Sequence, residues 1–324
     1  MNSVTRGLLA LCAALWLAPA AAQQSTYPTK SIRFIVAFQP GESADVLARA
    51  MVPLLSERLR QPVVVENRPG ANGSAGIDLV AKSAPDGYTL GLGGSGALAT
   101  NASLNPKLPY DPVKDLAPVT SVAYFPFLLI AHPQLPATTL AELIALARSK
   151  PGEMLLGFGG NGTATHLAGE LFKLMAKVQM VNVPYKGNDA AAADTVNGKL
   201  MLAIVDVGAA LPHVKAGKLK AIAVTSAKRV FAAPDAPTFA EAGLPGYAAT
   251  DWFGIVVPAA TPNAIVGRLN ADFVATLKRA EVRDRIIAAG AEPAPSTAVG
   301  FGALIGAEVV KWSEVVQISG ARAD

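Results

Sequence analysis

Ile35-Val36-Ala37-Phe38-Gln39-Pro40-Gly41-Glu42-Ser43-Ala44-Asp45 passes from an apolar, partly β-branched run through a Pro-Gly turn into a long helical pattern. It reads as strand, tight loop and helix start, the opening of a βα unit. Upstream, Ile32, Phe34, Val36 and Phe38 mark a buried strand. Downstream, Val46, Leu47, Ala50, Met51, Leu54, Leu55 and Leu59 share one face of a helix over about 44–60, with Ser43 as its N-cap and Asp45 in its first turn. Pro53 inside that pattern predicts a kink or an early break. A helix start presents unpaired backbone N–H groups and the positive end of its dipole, so Gly41-Glu42-Ser43 is a candidate anion site. An ordinary βα turn ending in a capped helix reads the same way.

The pattern recurs along the chain. Val63 to Glu66 is a second strand, Ser74 to Ser83 a helix, and Tyr88 to Leu92 a strand followed by Gly93-Gly94-Ser95-Gly96, a further glycine-rich candidate loop. An irregular, proline-rich connection follows over 101–118, and then an apolar strand, Phe125 to Ala131, ends at His132-Pro133. A new α/β series starts there. Its strand Met154 to Phe158 leads through Gly159-Gly160-Asn161-Gly162-Thr163-Ala164-Thr165-His166 into a helix. The loop offers small residues, two threonine hydroxyls, the Asn161 amide and His166 to a ligand. Tyr185-Lys186 follows a later strand, and Asp206 stands at the end of another, where it would bind an amine, hold a water or cap a turn. Trp252 to Pro258 is a second apolar strand ending in proline, and three helices complete the chain.

Strands alternating with helices predict an α/β protein with parallel sheets covered by helices. The length of 324 residues predicts two domains. Two similar strands bracket the middle block, so the expected plan is a discontinuous domain I (residues 23–131 and 251–324), an inserted domain II (132–250) and two hinge strands. Arg6, the apolar run Leu8 to Leu17 and the small residues Ala18 to Ala22 predict a secretory signal peptide over 1–22 and a periplasmic mature protein. Cys12, the only cysteine, lies within that segment, and Leu11 before it argues against lipid attachment. Cleavage removes one basic residue and no acid, so the formal net charge falls by one from +4 to +3. No basic stripe accompanies it, which argues against nucleic-acid binding.

Gly91-x-Gly93-x-x-Gly96 and Gly157-x-Gly159-x-x-Gly162 match the dinucleotide fingerprint, but neither is followed at the required distance by an acid at a strand end. His132, His166 and His213 lack metal-ligand spacing, and no catalytic constellation is visible, so no cofactor, metal or catalytic residue is expected. His166 is read as orienting its loop by a hydrogen bond rather than moving protons.

Tyr27-Pro28 with Ile32-Arg33, Val63-Val64-Val65-Glu66-Asn67-Arg68-Pro69-Gly70-Ala71, Ala84-Pro85-Asp86-Gly87-Tyr88-Thr89-Leu90, Leu108-Pro109-Tyr110-Asp111-Pro112, His166-Leu167-Ala168-Gly169-Glu170, Val183-Pro184-Tyr185-Lys186-Gly187 and Glu241-Ala242-Gly243-Leu244-Pro245-Gly246 together resemble the Bug-type extracytoplasmic solute receptors of tripartite tricarboxylate transporters. The resemblance implies a periplasmic-binding-protein type II-like fold, a Venus flytrap that captures a small organic acid or amino acid as a monomer and delivers it to membrane transporter subunits. A sensor input, or an enzyme, is the alternative. It implies further that Gly41, Ser43, Asp45, Gly160, Thr163, Thr165 and His166 hold a ligand carboxylate, with Ser95, Tyr185 and Asp206 contributing to selectivity. Such receptors carry Pro-Pro-Gly-Gly at the first loop, where this chain has Gln39-Pro40-Gly41-Glu42. A carboxylate of Glu42 in the cleft would oppose a second ligand carboxylate, predicting a monocarboxylate or amino-bearing ligand rather than citrate.

Overall fold

The computed structural model describes residues 27–322, so the expected signal peptide and Cys12 lie outside the described residues. Two parallel three-stranded arrays form its ends. In the first, β1 (Ile32–Val36) lies between β2 (Val63–Asn67) and β3 (Thr89–Gly94). In the second, β5 (Leu155–Phe158) lies between β6 (Val181–Pro184) and β7 (Leu202–Asp206). Each parallel pair is bridged by a crossover helix, as parallel strands require.

Two long strands join the arrays. β4 (Leu116–Ala131) pairs over Leu116 to Pro126 with β9 (Thr250–Pro258), then over Phe127 to Ala131 with β7 and with β8 (Lys220–Val224), all antiparallel. β9 also pairs antiparallel with β3, and a short β10 (Glu292–Pro293) adds to β4. The order is therefore β2-β1-β3-β9-β4 on one side and β6-β5-β7-β4-β8 on the other. The sheets are mixed rather than parallel, because β4 and β9 carry the chain between the two sides in opposite directions. Both consist almost entirely of buried residues, as strands covered on both faces should.

The helices follow the apolar stripes. α1 (Ser43–Leu59) buries Leu47, Met51, Leu55 and Leu59 against β1 and β2, and each such side chain contributes roughly 1.5–3 kcal/mol. It begins one residue earlier than expected: Glu42 is the N-cap and makes no side-chain cap bond, while Ser43 is already helical. Pro53 does not break it. The proline is exposed, so the carbonyl it leaves unbonded can meet water while the buried face continues on either side. α2 (Ser74–Ala81) follows β2. A π-helical turn (Gly96–Thr100) runs into α3 (Asn101–Leu104), so the irregular connection expected over 101–118 starts as helix, and it ends inside β4, which begins at Leu116 rather than near Phe125. Asn101 ties this helix to the start of α2, its Nδ2 donating to Ser74 Oγ at 2.7 Å.

On the other side, α4 (Leu140–Ser149) opens with a full capping box between Thr139 and Glu142. α5 (Ala164–Ala176), α6 (Asn188–Val196) and α7 (Val207–Lys215) each start at the end of a strand. After β9 come α8 (Asn263–Leu277), α9 (Ala280–Ala288) and α10 (Ala298–Ser319). α10 packs against β4, the π turn and α3 on one side and against α5 on the other. No helix among the described residues is long and apolar enough to cross a membrane.

Candidate functional site

Where β4 changes partners, the carboxyl ends of the two parallel arrays face each other across a cavity of about 210 Å³. This is the crevice in which open α/β sheets place ligands. The first side contributes Phe38, Asn72, Ser95, Gly96 and Thr100, and the second Thr163, Ala164, Thr165, Asn188 and Asp206. Phe127 and Asp251 come from the crossing strands themselves. A second cavity of about 280 Å³ shares Asn188 and Asp206 and extends past Ser43, Pro126, Asp189 and Gly208.

The β1–α1 loop is built around Asp45, which is 3% exposed. Its carboxylate accepts from the Gly41 backbone N–H at 2.9 Å, from Arg49 Nε at 2.9 Å and from Asn67 Nδ2 at 2.9 Å. Burial alone would raise the Asp45 carboxyl, but these bonds and the Arg49 charge outweigh it and hold it below the usual range. Gly41 sits at φ +86°, where glycine is the residue without strain. Asp45 is thus committed to shaping the loop. Glu42 is exposed, and its Oε2 accepts from the Gln39 N–H at 3.2 Å. Gln39, Gly41, Glu42 and Asp45 line neither cavity, whereas Ser43 reaches the outer one. The proposed opposition between Glu42 and a ligand carboxylate has no geometric support, because that side chain closes its own turn.

The β5–α5 loop is similarly self-bonded. Thr163 caps α5 by accepting from the His166 N–H, and its hydroxyl donates to Gly160 O at 2.7 Å. Thr165 Oγ1 accepts from the Gly159 N–H at 3.1 Å. His166 is 5% exposed and stacks on Phe158 with ring centroids 4.4 Å apart. Its Nδ1 accepts from the Gly162 N–H at 3.1 Å, and its Nε2 lies 3.4 Å from Glu170 Oε1. Glu170 also accepts from Lys173 Nζ at 2.7 Å and Asn182 Nδ2 at 2.6 Å. Burial favours the neutral acid, but the bonds from His166, Lys173 and Asn182 prevail and hold its pKa at about 2. His166 therefore orients the loop from behind. Gly160, Asn161 and His166 do not line the cavity, while Thr163 and Thr165 do. Tyr185 turns away, its hydroxyl 3.3 Å from Asp194 Oδ2.

Two carboxylates remain in the cavity. Asp206 is the N-cap of α7 but makes no side-chain cap bond; instead its Oδ2 accepts from Asn188 Nδ2 at 2.6 Å. Burial raises its pKa to about 6, the Asn188 bond opposes this, and Asp251 and Asp189 add to the rise. Asp251 accepts from Ser95 Oγ at 2.5 Å and from the Trp252 N–H at 2.8 Å, and burial raises it as well. Asn188 Oδ1 is buried without a hydrogen-bond partner and lies where a Cβ on Gly159 would come within 2.5 Å. Of the residues expected from sequence, Ser95, Thr163, Thr165 and Asp206 meet in the main cavity. Asn188, Asn72 and Asp251 join them unforeseen. Asp251 was legible only as the residue before a hinge strand, and Asn188 as the first helical residue after Gly187.

Two sheets sharing a long crossing strand, with helix starts converging on the crevice between them, define the class of two-lobed periplasmic-binding-protein type II-like solute receptors. The chain matches the family model described as tripartite tricarboxylate transporter family receptor over residues 47–321. It is 39% identical over 298 residues to Protein BugT of Bordetella pertussis, covering 92% of this chain and 91% of that one. Among solved structures, a protein of R. palustris with adipate is 36% identical, with a TM-score of 0.73 over 92% of this chain and 100% of the other. A TctC solute-binding protein from Polaromonas without ligand is 26% identical, with a TM-score of 0.83 over 90% and 99%. The chain belongs to the receptor family of the tripartite tricarboxylate transporters, the Bug-type receptors.

Proposed function

We propose that this receptor captures a small carboxylate-bearing solute in the cavity between its lobes, closes on it, and delivers it to membrane subunits of a tripartite tricarboxylate-type transporter. The observation that carries the reading is the cavity at the change of partners along β4, bordered from both sides by helix starts whose N–H groups and hydroxyls suit an oxyanion. We take the lobes as residues 27–126 with 250–322, and 127–249, the division falling where β4 leaves β9 for β7 and β8. Ser95, Asn72 and Thr100 then act from one lobe and Thr163, Thr165 and Asn188 from the other. Gln39, Gly41, Asp45, Gly160 and His166 act through the loops they shape.

The relation between sequence and shape supports closure. The adipate-bound relative is closer in sequence yet less similar in shape than the unliganded Polaromonas protein. We read that inversion as a different angle between the lobes, since divergence alone lowers both measures together. Ligand that touches both lobes only in the closed state shifts the balance toward closure, and no bond need be made or broken. Secretion with removal of residues 1–22 and function as a monomer belong to the same reading.

Thermal-shift screening of the mature protein against mono-, di- and amino-carboxylates, followed by calorimetry of each stabilising compound and mass analysis before and after, tests the proposal. Stabilisation by one class with the compound recovered unchanged is expected. Conversion of the bound compound, or stabilisation only by molecules without a carboxylate, would overturn it.

A further inference from the structure

The cavity between the lobes has an unusual charge. Asp206 and Asp251 both line it, Asp189 lines its outer extension, and among the described residues no Lys, Arg or His lines either part. A site for a plain dianion would be expected to set basic groups opposite at least one carboxylate. Here helix starts and hydroxyls can serve one carboxylate, and what is left over is acceptors.

Asp206 occupies a cap position without capping, and its carboxylate accepts from Asn188 Nδ2. Asn188 in turn keeps its own Oδ1 buried against Gly159, with no donor among the described residues. Burial raises the Asp251 carboxyl, while the Ser95 hydroxyl, the Trp252 N–H and the Ser95 backbone oppose the rise by favouring the ionised acid. The two acids come from different elements, the end of β7 and the start of β9, and Asp251 raises the cost of charging Asp206. A buried carboxylate pair without a counter-charge costs free energy that a cation entering the cavity would recover.

We propose that the cleft recognises a ligand carrying a cationic amine beside its carboxylate, with Asp206 and Asp251 as the specificity-determining acceptors for the amine. The inference rests on the reading of this cavity as the carboxylate site. The ammonium supplies donors to Asp206 and Asp251, while the start of α5, at Thr163 to Thr165, serves the carboxylate. Selectivity against a second ligand carboxylate, which the sequence had suggested for Glu42, then resides deeper in the cleft.

The test is calorimetric titration of the mature protein at pH 7.5 with chain-matched probes: pentanoate, its 2-amino and 5-amino derivatives, and glutarate, with the four- and six-carbon sets alongside. At least one amine-bearing member is expected to bind ten-fold or more tightly than the dicarboxylate of equal length. In Asp206→Asn and Asp251→Asn that preference should fall at least five-fold. Because the readout is a ratio of affinities within one variant, partial loss of folded protein does not mimic it. Glutarate or another dicarboxylate binding more tightly than every amine-bearing analogue would overturn the inference and leave the carboxylate receptor standing. An amine preference unchanged in both variants would overturn it too. Binding of no probe in any set would contradict both readings.

Discussion

At Asp206 the balance between folding and binding can be read from its ionisation. A carboxyl whose pKa rises from 3.8 unfolded to about 6 folded stabilises the protein below the lower value, and that contribution is lost as pH rises through the upper one. Ligand-free protein at pH 7.5 therefore holds an anion it would fold better without. Asp206→Asn keeps an acceptor for Asn188 and removes the charge. It should stabilise the ligand-free protein at pH 7.5 by about 1–2 kcal/mol, and by much less at pH 4, in denaturant titration. Loss of stability at pH 7.5 would refute the assignment. Affinity for an amine-bearing ligand should weaken as pH falls through about 6, as Asp206 protonates with Asp189 and Asp251 facing it. Glu170 runs the other way. Its pKa is depressed to about 2, so its contribution is present above about 4.5 and lost as pH falls toward 2. Glu170→Gln should cost on the order of 2 kcal/mol at neutral pH, and the gap from the parent should narrow in acid. An equal gap at pH 7 and pH 3 would contradict the network.

Among the elements, β9 and α10 set how closely the lobes' shared framework is packed. Gly254 of β9 lies against the Phe301 ring of α10, where an added Cβ would overlap the ring. Gly254→Ala should cost about 1–3 kcal/mol, measured by chemical denaturation, because Phe301 is fully buried and cannot swing aside. A neutral effect would mean that α10 shifts freely along the sheet. The helices and strands were mostly legible in the sequence because their apolar periodicity is strong, as in α1 and the second half of β4, whose first half from Leu116 was hidden among prolines and polar residues. The direction of β4 and β9 was not, since periodicity reports burial and says nothing of which way a buried strand runs. The π turn and α3 were hidden behind downstream prolines, and the tie from Asn101 to Ser74 is a long-range contact. At the site, Ser95, Thr163, Thr165 and Asp206 were visible as loop-end residues. Asp45 and Glu42 were equally visible, and only hydrogen-bond geometry reveals that they are spent on their own loop.

For the molecule as a whole, the proposed function makes the two crossing strands the joints about which the lobes turn and the cavity between them the place where ligand acts. If closure is the mechanism, any compound that binds tightly must also draw the lobes together. Small-angle X-ray scattering of the mature protein, alone and saturated with the tightest-binding carboxylate from the thermal-shift screen, measures this directly. The account predicts a smaller radius of gyration and a shorter maximum dimension with ligand, both abolished when calorimetry shows a variant no longer binds. Identical scattering curves with and without saturating ligand would contradict it.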